Sequence, residues 1–189
     1  MLSELANSAK NTITSILGDA ADVVAAARDA AKKTIVDTTK GAGEVATNTM
    51  DVVADVVSGG AAAASQSAKS TTDGVAGVVE GAIDAAQEVG ANVTDAIEKS
   101  AEKAIEGVQE VGGDLGEAAV GAVQGTIKAA SDVQMSVTDA GSKAVVSVIH
   151  AADKIGSEAG GVVRKALLST AALPREIIES AIGTTDKKS

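Results

Sequence analysis

Residues of like character recur every eleven positions in this chain, a spacing that fits an α-helix and excludes the period-two alternation of a strand. Steps of eleven from Ala9 reach Ala20, Ala31, Ala42, Val53, Ala64, Val75, Ala86, Ile97, Val108, Ala119, Ala130, Gly141, Ala152 and Val163, all small or apolar. A second column starts at Leu2 and runs through Ile13, Val24, Ile35, Ala46, Val57, Ala68, Val79, Gly90, Ala101, Gly112, Val123, Gln134, Val145, Gly156 and Leu167. Only Gln134 breaks it. A third column, Asp73, Asp84, Asp95, Glu106, Glu117, Lys128, Asp139 and His150, is polar throughout. Eleven residues close three helical turns at about 3.67 residues per turn, near the 3.6 of a straight α-helix. On that wheel six neighbouring columns form an apolar arc and five form a polar one. Between residues 2 and 167 the polar arc holds 34 of 36 charged side chains, Asp19 and Arg28 excepted. The apolar arc holds 36 of the 40 Val, Ile, Leu and Met residues.

The register runs unbroken through Gly59-Gly60, Gly112-Gly113 and Gly160-Gly161. A loop between packed helices commonly adds a few residues and resets the phase. Unbroken phase therefore predicts an all-α chain whose residues 1–168 form one long, largely continuous amphipathic helix. Its length is about 250 Å if fully helical, with the glycine pairs as candidate hinges. Residues 169–189 read as a second region. Pro174 disfavours helix at Leu173, Arg175 to Ile182 predict a short helix, and Gly183 to Ser189 a frayed tail.

Composition narrows what such a chain does. Among 189 residues there is no Phe, Tyr, Trp or Cys, and the net charge is −10. Nucleic-acid binding lacks both its basic footprint and its stacking rings. The apolar material is Val, Ile, Leu and Ala, so any compact core is thin. Acid is concentrated in residues 73–117, with eleven acidic and two basic side chains, whereas residues 128–165 carry four acidic and five basic ones. The longest stretch free of charge, Val56 to Ala68, has 13 residues, short of the roughly 20 that a spanning helix needs. With no signal-peptide pattern either, the chain reads as intracellular and peripheral to a lipid or granule surface.

The candidate contact residues lie along the apolar arc: Leu2, Leu5, Ile13, Ile16, Val24, Ile35, Val53, Val57, Val75, Val79, Ile83, Val93, Ile97, Ile105, Val108, Leu115, Val123, Ile127, Val137, Val145, Ile149, Val163 and Leu167. Nothing else carries chemistry. The single histidine, His150, has no ligand partners at metal-binding spacing. Asp84 and Glu88 lie four apart, as two acids on a solvated helix face do. There is no phosphate-cradling glycine loop. Neither a catalytic residue, a metal, a cofactor nor a small-molecule substrate is expected. Gly77/Gly81, Gly112/Gly116, Gly121/Gly125 and Gly156/Gly160 match Gly-x-x-x-Gly, which permits close helix contact.

Segments such as Lys69 to Val79, KSTTDGVAGVV, and Gly107 to Gly112, GVQEVG, resemble the eleven-residue repeats of synucleins and perilipins. That resemblance implies a lipid-coating amphipathic helix. The synuclein repeat is lysine-rich and suits anionic membranes; this one is acidic. Group 3 late-embryogenesis-abundant proteins, more charged than this chain, are similar in period. Three functions follow as expectations. The first is a non-enzymatic coat of a lipid droplet, storage granule or membrane. The second is a self-assembling helical bundle or filament whose partners are copies of itself. The third is a stress protectant that folds on drying.

Overall fold

A computed structural model describes residues 3–41, 48–67 and 69–185. Among these, nine helices and no strands are found. They are α1 (Glu4–Asp19), α2 (Val23–Gly41), α3 (Thr49–Gln66), α4 (Thr71–Glu88), α5 (Val93–Glu110), α6 (Leu115–Asp132), α7 (Val137–Ile155), α8 (Ser157–Ser169) and α9 (Arg175–Thr185). The chain is thus all-α, as the period requires, but it is a multi-helix arrangement and not one continuous helix.

The physical reason lies in the turns. Helices α3 to α6 each have 18 residues. They start after Asn48, Ser70, Asn92 and Asp114, and α7 starts after Ser136. In each case the side chain accepts a hydrogen bond from an amide of the first turn. These caps lie 22 residues apart, twice eleven, so the chain reverses without losing phase. Three helix ends stop in the same way. Gly90, Gly112 and Gln134 take positive φ of 73°, 70° and 57°. Their amides, and those of the next residues, bond back to the last carbonyls: Ala91 N to Ala86 O, Gly113 N to Val108 O and Met135 N to Ala130 O, at 2.8, 3.0 and 2.8 Å. This left-handed cap satisfies carbonyls that a helix end leaves free. Of the three glycine pairs, only Gly112-Gly113 marks a turn; Gly59-Gly60 lies inside α3 and Gly160-Gly161 inside α8. The terminal helix α9 extends past Ile182 to Thr185, where a frayed tail was expected. Residues 186–189 lie outside the described residues.

The helices form two layers. The odd-numbered helices pack side by side in one and the even-numbered in the other. Within a layer neighbours run parallel: a Cβ on Gly77 or Gly81 would stand 2.3 or 2.2 Å from the carbonyl oxygen of Val24 or Arg28, each four residues on from the last. Across layers they run antiparallel, since Gly60 meets Val78 while Gly74 meets Ala64. The core lies between the layers and is built of Ala, Val, Ile and Leu.

Candidate functional site

The structure brings the apolar arc together by folding it on itself. Ile13, Ile35, Val53, Val57, Val75, Val79, Ile83, Ile97, Ile105, Val108, Val123, Val145, Ile149, Val163 and Leu167 are buried between the layers. Leu5, Val24, Val93, Leu115, Ile127 and Val137 are half-buried, and Ile16 is exposed. Leu2 lies outside the described residues. The arc is the core, and the described surface exposes few large apolar side chains: Ile16, Val146, Ile155, Val162 and Leu168.

The flanks of each helix were not legible as contact faces. Gly59, Gly77, Gly81, Gly121 and Gly125 stand in columns that otherwise carry charge. Each lets a backbone carbonyl of the preceding same-layer helix approach where a Cβ would come within 2.4 Å of it: Ala6, Val24, Arg28, Thr72 and Ala76 respectively. Gly77/Gly81 and Gly121/Gly125 are therefore close-packing motifs. Gly112/Gly116 and Gly156/Gly160 are not, because each begins at a helix end. Glycines interrupting the polar arc were the signal available in the sequence.

One charged side chain is caught in this flank packing. Glu80, in the middle of α4, is fully buried. Arg28 of α2 donates to its Oε1 at 3.2 Å, and Lys128 of α6 stands 3.0 Å from its Oε2 as an ion pair without an aligned hydrogen bond. Glu80 thus ties three consecutive even-layer helices. Asp84 and Asp132 each bring a carboxylate oxygen within 4.8 Å of it and of each other. Burial pushes the Asp84 carboxyl above its ordinary range; Lys32 pulls the other way, and Glu80 and Asp132 add to the rise. Arg28, Lys32 and Lys128 balance the three acids, so a cation held there would have to displace bases already in place.

Several other charges pair at or near the surface. Lys40 and Lys32 reach Glu88 at 3.0 and 3.3 Å, and their hydrogen bonds, that from Lys40 foremost, hold the Glu88 carboxyl below its ordinary range. Asp84 and Glu88, read as one solvated pair, are therefore drawn into different surroundings. Lys143 and Lys154 of α7 reach Glu98 and Glu102 of α5 at 2.9 and 2.6 Å. His150 is exposed beside Glu98, Ser147 and Lys143, in a shallow surface depression.

Among the described residues no helix is long and apolar enough to cross a membrane. Compared with protein-family models and with curated proteins, the chain matches none.

Proposed function

We propose that the protein is a non-enzymatic coat for a neutral lipid surface, which folds its apolar arc inward when free and lays it on lipid when the two layers separate. The observation that carries this reading is the spacing of the turns. Each turn from α3 to α7 adds the number of residues that keeps the eleven-residue register. Straightening a turn therefore rejoins the apolar arcs on either side into one face, and straightening them all gives the long ribbon.

The energetics agree. Apolar area contributes roughly 25 cal/mol per Å² whether it is removed from water by a facing helix or by hydrocarbon. The hydrophobic term therefore nearly cancels between closed and spread forms. Smaller terms decide: the caps at each turn, the glycine contacts and the ion pairs. Such a near-balance makes a reversible coat. The acidic block at residues 73–117 disfavours anionic headgroups at low salt, so neutral surfaces are the expected partner. Copies of the chain are the other candidate partner, and a defined oligomer in lipid-free sedimentation is the result that would favour them.

A redox-controlled lock tests the opening. The chain has no native cysteine, and Gly60 and Val78 face each other across the layers. In a Gly60→Cys, Val78→Cys protein, the oxidised form should lose flotation with a neutral-lipid emulsion, and reduction should restore it. If both forms float equally well, α3 and α4 do not part to bind.

A further inference from the structure

Glu80 stands out as a charge that the closed form buries and a ribbon would not. On the helical wheel it belongs to the polar arc. It is buried because α2 and α6 close over both flanks of α4. Its two partners are not buried with it: the side chains of Arg28 and Lys128 remain 35% and 57% exposed. The carboxylate therefore gives up its water while each partner keeps much of its own. Desolvating an ion commonly costs more than its pairing returns, and removing the partners while leaving the ion costs more still.

We infer that Glu80, held between Arg28 and Lys128, is a latch that sets how readily the bundle opens. The inference rests on the lipid-coating reading for its purpose, but not for its physical effect. When α2, α4 and α6 are apposed, the two bases make burial of Glu80 tolerable. When they part, Glu80 returns to water on the polar arc, and its rehydration favours the open form. Closed and open states are thereby kept near balance. Loss of the bases tips the chain open, and an uncharged apolar triad tips it closed. In the ribbon an apolar side chain at position 80 or 128 would face water, which favours the closed form, whereas position 28 lies in the apolar arc.

The test uses two full-length variants, R28M/K128M and R28M/E80M/K128M. Each is followed without lipid by thermal midpoint and α4 amide exchange, and with a neutral-lipid emulsion by association rate. The first variant should lose about 10 °C of midpoint, exchange its α4 amides at least about tenfold faster and associate faster than wild type. The triple variant should match or exceed the wild-type midpoint and associate about tenfold more slowly than R28M/K128M, which carries the same Met at position 28 on the apolar arc. A first variant that does not fold, beside a folded triple variant, also supports the latch. A triple variant that melts below wild type, or associates as fast as R28M/K128M with an emulsion that wild type binds, overturns it. If wild type itself ignores the emulsion, the lipid reading fails, and the lipid-free midpoints and exchange rates still decide the latch.

Discussion

Helices α4 and α8 lie in the same layer and obey the same eleven-residue repeat, yet they are held by different means. In α4, 13 of 18 residues are buried. Its Gly77 and Gly81 sit on α2 carbonyls, its own Thr72 and Ala76 carbonyls receive Gly121 and Gly125 of α6, and Ser70 caps its start. In α8 only Gly160, Val163 and Leu167 of 13 residues are buried, and Gly156 at its start offers no side-chain cap. Val162 and Leu168 lie exposed on it, and Ile155 just before it. A period in the sequence specifies which face looks across the layers. It does not specify whether a neighbour covers the flanks, and covered flanks are what separate a fixed helix from a loosely held one.

Alanine substitution of glycine should split the two regions most strongly. A Cβ at position 125 would stand 2.2 Å from the Ala76 carbonyl oxygen, and a backbone atom cannot turn aside as a side chain can. Gly125→Ala should therefore destabilise by about 3 kcal/mol. At Gly161 of α8 nothing lies within 4 Å of the added carbon. There the better helix propensity of alanine should stabilise by up to about 1 kcal/mol. Chemical denaturation of both variants measures the split. Shifts of the same sign would mean that the flanks do not discriminate α4 from α8.

The same two helices show how far the sequence can be read. The apolar arc, the helical class and the polar character of the opposite arc follow from side-chain type, and the columns display them. The turns were harder to read, because a 22-residue unit is invisible to an eleven-residue step. The trace they left was alternation within the Leu2 column. Val79, Ala101, Val123 and Val145 are core, whereas Gly90, Gly112 and Gln134 between them are left-handed helix ends. The capping residues Asn92, Asp114 and Ser136 follow two positions later each time. Glu80 was not legible at all. Nothing local distinguishes it from Glu102 on the neighbouring helix, which stays partly exposed. Its burial depends on two helices that arrive from about fifty residues away on either side.

Gln134 is the weak joint of the well-held region, and mending it should sharpen the contrast with α8. It takes φ 57°, as Gly90 and Gly112 take 73° and 70°, but it carries a Cβ into a conformation that costs an L-residue about 1–2 kcal/mol. Glycine removes that cost and adds unfolded-chain entropy worth about 0.5–1 kcal/mol against folding. The net gain for Gln134→Gly should be about 0.5–1 kcal/mol, raising the thermal midpoint by about 2–3 °C. Gly112→Ala, the reverse change at the equivalent turn, should lower it. If Gln134→Gly is neutral while Gly112→Ala is costly, the two turns are not equivalent in solution.

The smallest effect concerns what does hold α8. Arg164 grips Asp153 of α7 with two hydrogen bonds, of 2.8 and 2.7 Å, over Gly160, where a Cβ would collide with the carboxylate at 1.9 Å. The Arg164 hydrogen bonds foremost hold the Asp153 carboxyl below its ordinary range; burial, next in size, opposes them, and the charges of Arg164 and His150 add to the lowering. A carboxylate with a lowered folded pKa adds stability that is fully present above its unfolded pKa of about 4 and is lost as pH falls through the folded value. Asp153 is 38% exposed, so solvent screening limits that contribution to a few tenths of a kcal/mol. Wild type should therefore protect its α8 amides from exchange slightly better than Asp153→Asn at pH 6. The gap should close as the pH falls through the lowered folded pKa, below which aspartate is protonated in both states. The α4 amides should show no such gap, because no contact from Asp153 reaches that helix. A difference between the two proteins that stays constant with pH would mean that the link between α7 and α8 rests on packing around Gly160 and not on the ion pair.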